Sequence, residues 1–178
     1  MYYIEQLNET DCGFTSLKIL LANVFKNESY LYLKEDENHG PYTYLELSTL
    51  GKEYGLTLEG VNIDDPDFDI LKEKTPFLVT INLSDVSKHM VYVHKIKKNS
   101  VIIVDPSNGE MEMNISKFLM IWDRSALLLT NKDEKENSVE EIKDDISIKD
   151  RFIAFILQTI SIALLVVGIA FISENAYI

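Results

Sequence analysis

The 178 residues contain one cysteine, Cys12. A thiol acts as a nucleophile or a metal ligand only as thiolate, so its surroundings decide whether it does either. Phe14, Leu17, Leu21 and Val24 recur at three- and four-residue steps, which predicts a helix beginning at Cys12. Thr10 or Asp11 is the expected N-cap, accepting a backbone N–H of the first turn. A thiol on that turn meets unpaired N–H groups and the positive end of the helix, and both favour thiolate. Gly13 leaves room beside the sulfur for another backbone. Gln6, six residues upstream, is placed to aim its side-chain amide at the reaction centre as an oxyanion donor. Against this stands the ordinary role of a lone cytosolic cysteine, a buried and inert small hydrophobe. Chemistry at Cys12 therefore requires a histidine, an acid and a fold that assembles them.

The three histidines are sorted by strand period. In the stretch from Lys88 to His94, residues 89, 91 and 93 share one face and His94 lies on the other. A zinc site drawn from Cys12, His39, His89 and His94 is disfavoured for that reason. His89 taken alone fits a half-exposed strand residue equally well. Asp105, followed by Pro106, has an ordinary role too, since Asp-Pro starts turns. It lies sixteen residues after His89, one strand and a hairpin away. Neighbouring antiparallel strands would set its carboxylate beside the imidazole, where it fixes the tautomer and stabilises the imidazolium.

The elements that must hold these groups follow from local pattern. Helices are expected over Cys12–Phe25, over Tyr44–Tyr54 after the Thr43 cap, over Phe68–Glu73 and over Ser116–Trp122. The second buries Leu45, Leu47, Leu50 and Tyr54 and stops at Gly55; the third packs through Ile70 and Leu71. Tyr2–Ile4 is a brief strand or extended lead-in, and Tyr30–Asn38 a short helix or irregular loop. Strands are expected over Leu56–Val61, Phe77–Leu83, His89–Ile96, Ser100–Val104, Glu110–Ile115 and Ala126–Thr130. Helices first and an antiparallel sheet after is an α+β pattern, and the short later connections fit a meander. Hydrophobic content of 46% with 26% charged residues suits a domain with a core. A net charge of −12 argues against a nucleic-acid partner. One cysteine makes no internal disulfide, and the N-terminus lacks a basic-plus-apolar leader. Both point to a reducing, cytosolic setting.

Residues 131–150 hold eight acids and four lysines and read as a solvated linker. Phe152–Ile172 is 21 residues without a charge. At about 1.5 Å per residue it spans roughly 31 Å, the thickness of a bilayer core. Lys143, Lys149 and Arg151 precede it and no basic residue follows, which places the N-terminal part in the cytosol. Gln158, Thr159, Ser161 and Gly168 within the span suit packing against other helices. Ending just past one span suggests a piece of a longer chain.

Gln6, then Asp11-Cys12-Gly13 opening a helix, then His89 on a strand, then Asp105-Pro106, in that order, resembles one family. It is the bacteriocin-processing peptidase domain at the N-terminus of peptidase-containing ABC transporters, a papain-like cysteine peptidase family. The likeness covers about residues 1–130 and extends to Gly40-Pro41-Tyr42-Thr43, Leu45, Gly55-Leu56 and Trp122. It implies a papain-like fold with N-terminal helices packed on an antiparallel sheet, in a domain of residues 1–130. A linker (131–150) and one transmembrane helix (151–178) would follow, the latter starting a transporter membrane domain. It implies Cys12 as nucleophile, His89 as general base and then acid, Asp105 as its orienter and Gln6 as oxyanion donor. The implied substrate is a precursor peptide cut after a Gly-Gly pair ending its leader, then exported. The implied setting is a bacterial cell membrane with a cytoplasmic peptidase domain and a homodimer formed through the transporter. No cofactor is implied in this stretch; ATP and Mg would belong to a nucleotide-binding domain further along. Phe14-Thr15-Ser16 and Met90-Val91-Tyr92 depart from the family pattern and bear on subsite shape. A relative of this fold that docks or regulates without cutting is the alternative, and a membrane-tethered amidase a third.

Overall fold

The helix carrying Cys12, α1 (Cys12–Phe25), is buried on every side from Gly13 to Ala22. Its apolar spacing suggests one buried stripe, yet Thr15, Ser16 and Lys18 are also enclosed. A helix covered all round is a central one. The Lys18 ammonium lies 5.0 Å from the centre of the Phe14 ring, so its stem is buried while its charge faces a π cloud. Lys26, in the left-handed conformation with φ 54°, ends the helix. The structure is a computed structural model and describes residues 1–8, 10–34, 41–84, 87–133 and 156. Its contacts divide the chain into two units, residues 1–138 and 139–178, and the described architecture is that of the first. The anticipated linker and span lie outside the described residues, apart from 131–133 and Ile156.

A 3₁₀ turn (Glu28–Tyr32) packs on α1. Tyr2–Ile4 forms no strand; Asn23 holds it in place, accepting the Tyr2 N–H at 3.0 Å and donating to its carbonyl at 2.9 Å. Thr43 and Glu46 form a reciprocal capping box at the start of α2 (Tyr44–Glu53). Gly55 follows with φ +85°, a backbone that glycine adopts without strain. Leu47 is fully buried, whereas Leu45 is 77% exposed. The expected α2 face is thus half wrong: the helix presents Leu47 and Gly51 to β1 (Leu56–Asn62), where a Cβ on Gly51 would fall 2.8 Å from Leu58. Likewise α3 (Phe68–Glu73) buries Leu71 but leaves Ile70 58% exposed. Phe68 takes the place expected of Ile70, edge-on to Phe118.

The remaining elements are β2 (Phe77–Asn82), β3 (Lys88–Ile96), β4 (Ser100–Asp105), β5 (Gly109–Asn114), α4 (Ile115–Ile121) and β6 (Trp122–Lys132). All strand pairs are antiparallel, in the order β1-β6-β2-β3-β4-β5. β2 to β5 form the expected meander, but β6 inserts between β1 and β2. Phe77, Val79, Ile81, Val91, Val93 and Ile103 build one core layer with Phe118 and Trp122. Leu78, Tyr92, Val104 and Leu127, of the opposite parity, are buried as well, and α1 packs on β2 and β3. The sheet is therefore covered on both faces, which explains the near-continuous apolar runs of β2 and β4.

Candidate active site

Both expected caps of α1 turn away from it. The Asp11 carboxylate accepts the backbone N–H groups of Leu7 at 3.0 Å and Asn8 at 3.2 Å. The Thr10 hydroxyl donates to the Asn8 side chain at 2.6 Å. The turn at residues 6–8 offers two backbone donors that need an acceptor, and Asp11, 1% exposed, satisfies them instead of the helix. With no side-chain cap on α1, first-turn N–H groups remain for another acceptor. The Cys12 sulfur takes that place.

Cys12 is half-buried and lines a cleft of about 230 Å³ with Gly13, Tyr42, Tyr44, Thr80, Lys88 and His89. Tyr42 passes close to Gly13, where an added Cβ would meet the Tyr42 Cβ at 3.3 Å. Burial pushes the thiol up. The His89 hydrogen bond, the backbone N–H groups of Met90 and Gly13, and the charge of His89 outweigh it, leaving Cys12 below the ordinary thiol range.

His89 is 6% exposed, not the half-exposed residue its strand position allows. Its Nε2 lies 2.7 Å from Asp105 Oδ1, so the ring turns its other nitrogen, Nδ1, to the thiol. Burial pulls the imidazole down, but the hydrogen bonds and charges of Asp105 and Cys12 carry it up to about 9. Asp105, 2% exposed, also accepts the Ser107 N–H at 2.7 Å and the Asn108 amide at 2.8 Å. Burial raises this carboxyl, and those donors, led by His89, bring it down to about 2. A thiolate, an imidazolium and a carboxylate in series can attack a carbonyl, protonate a leaving group and activate water.

Gln6 spends one amide N–H within its own turn. Its Nε2 donates to the Asn8 carbonyl at 2.9 Å, because the turn at residues 6–8 brings that carbonyl to its own side chain. Its backbone N–H donates to Pro106 O at 3.0 Å, tying the segment before Cys12 to the loop after Asp105. Tyr3 reaches the same carbonyl through its hydroxyl at 3.2 Å. His94 Nδ1 lies 3.2 Å from the Tyr92 hydroxyl, and His39 lies outside the described residues. Among the described residues no group of three or more histidine, cysteine or acidic side chains is arranged to hold a metal.

Ser107 and Asn108 were legible only as turn formers, although an Asp that bonds residues two and three positions on is the expected Asx geometry. Tyr44, Thr80 and Lys88, on the cleft wall, carry no sequence signal of their own. Beside the cleft, and sharing Tyr42 with it, lies a wider apolar groove of about 480 Å³ lined by Phe14, Leu45, Leu50 and Tyr54. The exposed Leu45 belongs to this groove.

Residues 1–134 match the profile of the Peptidase C39 family. The pediocin PA-1 transport/processing ATP-binding protein PedD of Pediococcus acidilactici is 25% identical over 132 residues, 72% of this chain and 18% of that protein. The lactococcin-G-processing and transport ATP-binding protein LagD of Lactococcus lactis subsp. lactis is 26% identical over 148 residues, 78% of this chain and 20% of its own. The chain thus spans no more than about a fifth of either relative. Among solved structures, the peptidase domain of Streptococcus ComA, a bi-functional ABC transporter involved in a quorum-sensing pathway, aligns with a TM-score of 0.60 at 24% identity, over 72% of this chain and 97% of that one. A double glycine motif protease from an AMS/PCAT transporter, in complex with its leader peptide, aligns with a TM-score of 0.55 at 21% identity, over 72% and 91%. The fold is that of papain-like C39 domains.

Proposed function

Because this chain belongs to the peptidase C39 family, we propose that its N-terminal domain is a cysteine endopeptidase that removes a leader from a precursor peptide after a Gly-Gly pair. The observation that carries the reading is the series Cys12, His89, Asp105, the first two lining one cleft and the third bonded behind His89. The thiolate attacks the carbonyl carbon of the second glycine, and the carbonyl electron pair moves onto oxygen. The Cys12 backbone N–H, an orphan of the first helical turn, faces that oxyanion. Gln6 joins it: one N–H of its amide goes to Asn8, and the other is left for the oxyanion. When the tetrahedral intermediate collapses, His89 gives its proton to the departing amine and a thioester remains on Cys12. His89, now neutral, takes a proton from water, whose oxygen attacks the thioester. The leader leaves with a carboxylate and the thiolate–imidazolium pair is restored. Asp105 stays ionised throughout and holds the ring.

The leader lies, on this reading, as an amphipathic helix in the groove lined by Phe14, Leu45, Leu50 and Tyr54, its end feeding into the cleft. Incubating the full chain with a precursor carrying a Gly-Gly leader, followed by mass spectrometry, should give two fragments cut between the second glycine and the next residue. Gln6→Ala should slow that cut by roughly a hundredfold, the scale of one oxyanion donor. Intact precursor that nevertheless binds would favour a docking module, and an unchanged rate in Gln6→Ala would remove that residue from the oxyanion site.

The same reading extends to the rest of the chain. Residues 1–130 form the cytoplasmic peptidase domain and 131–150 an acidic linker. Residues 151–178 begin a membrane domain, with Phe152–Ile172 crossing the bilayer. Its basis is the uncharged run and the preceding basic residues; among the described residues no helix is long and apolar enough to cross a membrane. Protease added outside intact cells should leave the N-terminal domain whole. Its digestion from outside would reverse the orientation.

A further inference from the structure

One wall of the cleft is held by an irregularity in the sheet. Along β2 and β6, Val79 pairs with Ala126 and Ile81 with Trp122, so Asp123, Arg124 and Ser125 together stand opposite Thr80 alone. Arg124 has φ 72°, a left-handed conformation that is strained for a non-glycine residue. Backbone strain of this kind persists where surrounding contacts over-determine it. Here the Arg124 carbonyl accepts the Ile63 N–H at 2.8 Å, and the Trp122 indole N–H donates to the Ser125 carbonyl at 2.7 Å.

The bulge stands opposite Thr80, a residue of the cleft, and its polar groups form one chain of bonds. Lys88 Nζ lies 3.0 Å from Asp123 Oδ2. The Ser125 hydroxyl donates to Asp123 Oδ1, a carboxylate oxygen that only accepts. Ser125 therefore presents a lone pair to the Tyr44 hydroxyl, 2.9 Å away. Tyr44 spends its one proton there, so the Thr80 hydroxyl, also at 2.9 Å, must donate to Tyr44. Every proton in the chain is thus set by Asp123. Behind Tyr44, a Cβ built on Gly60 would touch its ring edge at 3.5 Å, so the ring rests against β1 with no side chain between. Tyr44, Thr80 and Lys88 line the same cleft as Cys12 and His89.

We propose that Tyr44 is a specificity-determining wall, locked by Asp123 and Ser125 as positioning residues, that admits only residues without a Cβ at the scissile pair. The inference rests on the peptidase reading above. A rigid wall turns one methyl group into a clash; a ring free to swing would yield to it. Discrimination by one carbon is worth about 10–200-fold in a well-formed pocket.

The test measures kcat/KM of the full chain on three leader peptides ending in Gly-Gly, Gly-Ala and Ala-Gly. The unaltered chain should cut the alanine peptides at least tenfold more slowly. Tyr44→Phe and Asp123→Ala should shrink that ratio about tenfold. Asp123→Asn, whose amide oxygen still accepts from Ser125, should restore it towards the original value. A merely structural role would lower all three rates by one factor and leave the ratio alone, which would overturn the proposal. If Tyr44→Phe fails to fold by circular dichroism, Asp123→Ala decides. An unaltered chain that cuts all three peptides equally through Cys12 would sink the wall but not the peptidase. One that cuts none of them would sink the peptidase reading and the wall with it.

Discussion

Replacing Cys12 by Ala abolishes cleavage, by on the order of 10⁴-fold or more, while leader binding stays within a few-fold of the original. The size follows from removing the attacking atom itself, since a triad without its nucleophile retains only the binding and oxyanion contributions. The change takes away one half-buried sulfur and, with it, only its contacts to His89 and to the Met90 and Gly13 N–H groups. The groove expected to hold the leader is lined by Phe14, Leu45, Leu50 and Tyr54, none of which lines the Cys12 cleft. Cleavage followed by mass spectrometry and binding followed by titration separate the two effects. A variant that still cuts would remove Cys12 from the mechanism; one that loses binding tenfold or more would place the leader against the sulfur.

Asp105→Asn should lower kcat by about 10³–10⁴-fold, the scale on which a mis-set imidazole tautomer acts, and should also change the pH response. His89 holds its proton up to about 9 against its burial because Asp105 and Cys12 support the charge. With the neutral amide the burial wins, so the alkaline limb of the pH–rate profile should move to lower pH. Stability follows the same groups. His89 is raised from 6.5 to about 9, so its contribution is complete below about 6.5 and is lost as pH rises through 9. Asp105 is lowered from 3.8 to about 2, so its contribution is complete above about 3.8 and is lost as pH falls through 2. The pair therefore stabilises most between those limits, from about 3.8 to about 6.5. Melting temperatures across pH should show that plateau in the unaltered chain and a flatter curve in Asp105→Asn. An unmoved alkaline limb would mean that Asp105 does not set the His89 charge.

What could be read in advance was local. Cys12 at a helix start followed from apolar spacing, and the strands around His89 and Asp105 from runs of Val and Ile. Misreadings arose where short elements left the buried face undetermined, as with Leu45 and Ile70, or where two demands competed for one side chain. Asp11 is the clear instance, since a cap and a tether need the same carboxylate and only the tertiary fold chooses. Gln6 was placed by its distance from Cys12, and the bond of one amide N–H to Asn8 within the turn at residues 6–8 was not foreseen. The bulge at Asp123–Ser125 broke the strand pattern, so the last strand was expected only from Ala126, whereas β6 runs from Trp122 to Lys132. Its place between β1 and β2 depends on pairings 41 to 76 residues apart, which no local window contains.

That placement also dictates an order in time. Among the described residues, the strand made last is interior to the sheet, and β1, made first, has β6 as its only partner. On the ribosome Cys12 emerges long before His89 and Asp105, and β1 waits, unpaired, until residue 132 is synthesised. A nascent chain therefore carries its thiol but no finished cleft, and the bulge from Asp123 to Ser125 that braces Tyr44 arrives last of all. Whatever chemistry the cleft performs waits for the strand from Trp122 to Lys132.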